Sequence, residues 1–168
     1  MFFNQRQKQE EELVSLLLKN NWKIATAESC TAGLISALIV NVSGASEVFE
    51  QGFVAYSNDA KVRNLRVSRK VLDEYGAVSQ ETAIEMAKGA AFVAGTEVAV
   101  SATGIAGPAG GTEDKPVGLT YIGCYIKGRV CVLKCEFKGN RMENRINTAK
   151  NALKLVIDQV KIAQYLED

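Results

Sequence analysis

The chain contains no histidine. That absence removes the Ser-His-Asp and Cys-His arrangements of nucleophilic catalysis, along with the usual histidine-ligated catalytic zinc sites. Any activated nucleophile here needs a different base. Lysine is the leading candidate, because a buried amine can lose its proton near neutral pH. Charge of one sign is also lacking: 20 basic residues against 19 acidic ones leave a formal charge of +1. No electrostatic footprint for nucleic acid or an anionic membrane is therefore expected. The longest uncharged apolar run, residues 33–42, is too short to span a bilayer. Residues 1–6 lack the basic start and continuous apolar run of a signal peptide, so the cytoplasm is the expected compartment. The cysteines Cys30, Cys124, Cys131 and Cys135 contain no C-x-x-C pair, and the last three lack a nearby fourth metal ligand. Cys131, Leu133 and Cys135 alternate along a predicted strand and share one face, as buried small hydrophobes do. No metal and no cofactor are expected, so activity should survive a chelator.

What is present reads as one ordinary globular domain over residues 1–168, with 47% hydrophobic and 23% charged residues. Periodicity predicts an amphipathic helix over residues 7–20, a strand over 22–26 and an apolar helix over 34–40. A second strand is expected over 49–57, then a short helix with Asn58 as N-cap and Lys61 on its first turn. Ser68 caps a helix over 69–75. Ser79 opens a longer one through Ala94, with Ala83, Ile84, Ala87, Ala91 and Ala94 on its packing side. A strand over 97–103 leads into a glycine-rich loop, 104–112. Strands over 117–126 and 130–137 form a hairpin around Lys127-Gly128-Arg129. The last helix, 141–166, carries Ile146, Ala149, Leu153, Val156, Ile157 and Val160 on one stripe. Interleaved helices and strands with one antiparallel hairpin predict an α/β fold, a mixed sheet covered by helices.

Chemistry concentrates in Thr26-Ala27-Glu28-Ser29-Cys30-Thr31-Ala32-Gly33, where a strand becomes a helix. A helix start has unpaired N–H groups and a partial positive charge, a cradle for phosphate or for a developing oxyanion. Simple capping by Ser and Thr explains the same residues. The loop at Gly104 also follows a strand. If the two strands are parallel neighbours, both loops face one cleft beyond the strands' carboxyl ends. Neither G-x-x-x-x-G-K-[ST] nor G-x-G-x-x-G is present, so a glycine-rich surface turn remains an equal reading. Lys61 and Tyr56 are ordinary on their own. Arg141 and Arg145 share a face at a helix start, where cations oppose the macrodipole. They are either exposed solubility charges or ligands for an anion.

Taken together, five ordered motifs resemble the C-terminal domain of competence/damage-inducible CinA proteins, which also occurs as stand-alone nicotinamide-nucleotide amidases. They are Ala27-Glu28-Ser29-Cys30-Thr31-Ala32-Gly33, the run from Gly52 through Tyr56-Ser57-Asn58 to Lys61, Gly76-Ala77-Val78-Ser79, Ala102-Thr103-Gly104-Ile105-Ala106-Gly107-Pro108 and Lys115-Pro116-Val117-Gly118. The similarity covers nearly the whole chain. The family usually has two glycines after Ser-Cys-Thr. Here Ala32 replaces the first, and its methyl group is expected to tighten the pocket or change the backbone's approach to substrate.

The resemblance implies a three-layer α/β/α sandwich with a mixed sheet, assembled as a homo-oligomer. It also implies hydrolysis of nicotinamide mononucleotide to nicotinate mononucleotide and ammonia, with Ser29 as nucleophile and Lys61 as its base. The helix-start N–H groups around Cys30, Thr31 and Gly33, or those of the 104 loop, would hold the oxyanion. Tyr56 and Asn58 are expected near the nicotinamide, Thr103 and Gly104 along the pocket, and Arg141 or Arg145 at the phosphate. Lys61 must then titrate well below about 10.4. The competing readings are a non-catalytic nucleotide-binding or regulatory module and an amidase for another small amide.

Overall fold

A computed structural model describes residues 8–167; the predicted helix start at residue 7 and the reading of residues 1–6 lie outside them. In chain order the elements are α1 (Lys8–Asn20), β1 (Ile24–Glu28), α2 (Leu34–Val40), β2 (Phe49–Val54), α3 (Asn58–Leu65) and α4 (Arg69–Tyr75). There follow α5 (Gln80–Ala94), β3 (Val98–Gly104), β4 (Leu119–Ile126), β5 (Arg129–Glu136) and α6 (Arg141–Glu167). The five strands form one sheet in the order β2-β1-β3-β4-β5. β2, β1 and β3 are parallel, and the β4–β5 hairpin continues the sheet antiparallel to β3. The architecture is a three-layer α/β/α sandwich around a mixed sheet.

Two cores separate the layers, and strand alternation assigns residues to them. Ile24, Val98 and Val100 point toward α1, α2 and α6, where they meet Leu17, Ile35 and Leu153. Ala25, Ala27 and Ala99 point toward the other face and meet Met86, Ala90 and Ala91 of α5. Small residues on that face let α5 lie close. A Cβ at Gly89 would sit 1.7 Å from the Leu65 carbonyl oxygen, and Ser101 Oγ donates to the Ala83 carbonyl at 2.6 Å. α5 therefore buries Thr82, Met86, Gly89 and Ala90 as well as Ala83, Ala87 and Ala91, while Ile84 and Ala94 are half-buried. The predicted stripe was drawn for one contact face; packing on both α3 and the sheet widens it. On α6, Ile146 is likewise only half-buried, and Asn144, Thr148 and Ala152 join the buried side.

Other differences are local. β1 runs to Glu28, beyond the predicted end at residue 26, because Glu28 pairs with both Val54 and Ala102. β2 stops at Val54, and Ser57 rather than Asn58 caps α3, its Oγ accepting the Ala60 N–H at 3.1 Å. The hairpin turn is Lys127-Gly128, with φ of 46° and 93°, so Arg129 belongs to β5 and pairs with Ile126. Positive φ at both central positions matches the right-handed twist of the strands. All four cysteines are free; Cys30 and Cys124 are buried, and Cys131 and Cys135 are half-buried against the α6-side core. Among the described residues no helix is long and apolar enough to cross a membrane.

Candidate active site

The two loops singled out in the sequence meet because β1 and β3 are parallel neighbours. Ser29 follows β1 directly, and its N–H donates to the Ala102 carbonyl at 2.9 Å, fixing it beside β3. Residues 30–33 then turn sharply, with Ala32 at φ 47° and Gly33 at φ 96°, before α2 begins. The start of α2 is not an open cradle. Glu28, fully buried, accepts the N–H groups of Gly33 and Ile35 on Oε2 at 3.0 Å each. Its Oε1 accepts the Ser36 N–H at 2.9 Å and the Ser36 hydroxyl at 2.8 Å. The helix dipole favours an anion there, and the protein supplies its own. From α6, Arg145 donates through Nε to the Cys30 carbonyl at 2.9 Å and through Nη2 to the Thr31 carbonyl at 3.0 Å. The turn is thus held from both sides.

Lys61 enters from α3 and is 1% exposed. Its Nζ lies 2.9 Å from Ser29 Oγ, 2.9 Å from the Ala55 carbonyl oxygen and 3.1 Å from that of Tyr56. Burial lowers its pKa from 10.5 to about 8, opposed by the neighbouring Cys30. A neutral amine has two N–H groups and one lone pair. The two carbonyls occupy the N–H groups, which leaves the lone pair for the Ser29 hydroxyl. Burial pushes the Cys30 thiol up to about 11, with the Glu28 carboxylate adding to the effect. Of the two adjacent nucleophiles, only Ser29 has a base, and Cys30 stays a thiol at neutral pH.

A cleft of about 190 Å3 opens over this pair. It brings together Ser29, Cys30, Tyr56, Lys61, Thr103, Gly104 and Arg141, and adds Ala77, Val78 and Ala106. Thr103 Oγ1 donates to the Ala77 carbonyl at 2.6 Å, which draws the turn before α5 into the wall. At Gly104 a Cβ would fall 2.5 Å from Thr120 Oγ1 and 2.7 Å from the Leu119 carbonyl oxygen, so a side chain has no room. Arg141 donates to the Gly107 carbonyl at 2.7 Å and lies 3.4 Å from the Tyr56 hydroxyl, closing the rim.

Other expected residues stand outside the lining. Thr31 is buried, its Oγ1 without a partner among the described residues. Gly33 gives its N–H to Glu28. Asn58 begins α3 with an exposed side chain, and Arg145 holds the turn. Ala32 is exposed and borders no part of the cleft, so its methyl group strains the turn rather than tightening the pocket. Sequence reasoning overlooked two supports. Glu28 lay inside a quoted motif; an acid shortly before an apolar helix was the available signal. Asn144, buried, donates to the Ala106 carbonyl at 3.0 Å and accepts the Gly139 N–H at 2.9 Å. An amide within an otherwise apolar helix stripe was its signal. Among the described residues no group of three or more His, Cys, Asp or Glu side chains is placed to hold a metal ion.

The family described as the CinA C-terminal domain matches residues 6–160. A CinA-like protein of Kosmotoga olearia is 53% identical over 147 residues, covering 88% of this chain and 36% of the relative. A CinA-like protein of Dictyoglomus thermophilum is 51% identical over 144 residues, covering 86% of this chain and 35% of the relative. The chain thus spans about a third of the length of these curated relatives. Among solved structures, the competence/damage inducible protein CihA from Agrobacterium tumefaciens superposes with a TM-score of 0.88 at 37% identity. That match covers 90% of this chain and 93% of the other.

Proposed function

The chain belongs to the CinA C-terminal domain family, and we propose that it is a nicotinamide-nucleotide amidase working through a Ser-Lys dyad. The observation that carries this reading is the 2.9 Å contact between Lys61 Nζ and Ser29 Oγ, in a chain without histidine. Neutral Lys61 takes the Ser29 proton as Oγ attacks the carboxamide carbon of nicotinamide mononucleotide. The tetrahedral oxyanion is held by the N–H group of Cys30, which borders the cleft and which among the described residues no backbone carbonyl accepts. Lys61 then hands its proton to the leaving nitrogen, and ammonia departs. Water, deprotonated by the same amine, attacks the acyl-enzyme and releases nicotinate mononucleotide.

At the rim, Arg141 is the better-supported phosphate ligand, because it borders the cleft, while Arg145 donates to the turn's two carbonyls and lies against the Met142 sulfur. The exposed Tyr56 ring beside Arg141 is suited to cover the substrate.

Ammonia release from nicotinamide mononucleotide is the test, with Ser29→Ala and Lys61→Ala alongside. Wild type should release ammonia, and each variant should lose roughly a thousandfold or more. Free nicotinamide should be a far poorer substrate. A folded wild type that binds the nucleotide equally with Ser29→Ala and releases nothing would make the chain a binding module instead.

A further inference from the structure

A second group of nucleophiles lies at the other end of the sheet. β3 carries the cleft at Gly104, whereas Cys124 pairs with Val100, nearer the start of that strand. A cavity of about 320 Å3 opens there between the β4–β5 hairpin and α6, lined by Cys124, Arg129, Cys131, Gln159 and Ile162 among others. Cys124 and Cys131 are direct cross-strand partners. The two-residue turn makes Ile126–Arg129 the closing hydrogen-bonded pair. Antiparallel alternation then makes 124–131 the next pair of that kind, with Cα atoms about 5.5 Å apart. Disulfides bridge Cα separations of roughly 4.4–6.8 Å.

The two side chains lie on one face of the hairpin, against the α6-side core. The Cys131 sulfur beside it, and then burial, push the Cys124 thiol well up, while the neighbouring Cys124 holds Cys131 below the ordinary thiol value. Cys124 is buried, while half-buried Cys131 borders the cavity. Cys135 supplies an internal control. It is on the same strand and face and also half-buried, yet its cross-strand partner is Thr120 and burial pushes its thiol up.

We propose that Cys131 and Cys124 form a peroxide-reactive dithiol, with Cys131 as the attacking thiol and Cys124 as the resolving one. The Cys131 thiolate attacks one oxygen of a small hydroperoxide; an S–O bond forms, the O–O bond breaks, and the other oxygen leaves as an alcohol, or as water from hydrogen peroxide, after taking a proton. Cys124 gives its proton to solvent and attacks the sulfenic sulfur. An S–S bond forms, the S–O bond breaks and hydroxide leaves, protonated to water. Two thiols lose two electrons, and the hydroperoxide gains them. The product ties β5 to β4 by a reversible cross-link. Neither step requires the Ser29 cleft.

The test exposes the purified full chain to excess hydrogen peroxide, alkylates the remaining thiols and maps the peptides by mass spectrometry. Expected is an intrachain Cys124–Cys131 disulfide, reversed by dithiothreitol, with Cys30 and Cys135 still alkylated. In Cys124→Ala, Cys131 should stop at a sulfenic acid trapped by dimedone; Cys131→Ser should slow oxidation of Cys124 at least tenfold; Cys135→Ser should change nothing. Should Cys124→Ala not fold, half-exposed Cys131→Ser and the wild-type map decide the matter. Oxidation of Cys135 as fast as Cys131 would overturn the proposal. So would sulfinic acid at Cys131 of the wild type without a cross-link, or disulfides found solely between chains.

Discussion

Glu28 and Lys61 are both charged residues and both buried, yet their surroundings differ in kind. Glu28 is met by three backbone N–H groups and a hydroxyl, all belonging to the helix it caps. All four groups donate to its carboxyl oxygens, and none leads to the cleft. Lys61 meets two carbonyls and one hydroxyl at the cleft floor, and burial brings its titration to about pH 8. The same division separates the arginines: Arg145 holds the Ser29 turn, while Arg141 borders the cleft. A buried charge whose bonds all end in its own framework serves architecture. One with a bond left over for a nucleophile is placed for chemistry.

That contrast is tested most severely by pH. Lys61 works as a base when neutral, so kcat/KM should fall roughly tenfold per unit well below about pH 8 and level off above it. A flat profile from mildly acidic to alkaline pH, with chemistry rate-limiting, would remove Lys61 from its role. The sign for stability follows from the same shift. Between about 8 and 10.5 the unfolded lysine keeps a proton that the native one has lost. Wild type should therefore gain stability relative to Lys61→Met as pH rises through that window.

Glu28→Gln should behave differently. It places an amide group against N–H donors and should cost roughly 2–3 kcal/mol in urea unfolding, with no displacement of the pH–rate midpoint. A moved midpoint with unchanged stability would reverse the roles assigned to Glu28 and Lys61.

The arginines should separate by kinetics. Arg141→Ala should raise KM for the nucleotide about tenfold, losing a charge-assisted contact of about 1.5 kcal/mol, with kcat little changed. Arg145→Ala should lower kcat and Tm together, since it frees the turn that positions Ser29. Equal KM effects from both would erase the distinction.

The smallest effect is expected at Ala32. Its φ of 47° costs an alanine about 1 kcal/mol or more relative to glycine, partly offset by the greater unfolded freedom of glycine. Ala32→Gly should stabilise the chain by about 0.5 kcal/mol and leave KM unchanged, as measured by urea titration and steady-state kinetics.

Much of this was legible in one dimension. The order of helices and strands, a hairpin around Lys127-Gly128-Arg129, Ser29 at a strand end and the need for a non-histidine base all follow from periodicity, turn chemistry and composition. These are local properties, fixed by neighbours a few residues apart. Lys61 was singled out by resemblance, because a lysine on a helix's first turn carries no local mark of burial. Its partners Ser29 and Ala55 come from different elements, and desolvation depends on what packs over them. The helix start at Leu34 misled for a related reason: sequence shows that a dipole will attract an anion, but not which one. Only the folded chain decided that Glu28 takes the place, that Arg145 faces the turn and Arg141 the cleft, and that Cys131 has a thiol opposite it where Cys135 has a threonine. Each of those outcomes rests on register and packing between distant segments, which no run of residues contains.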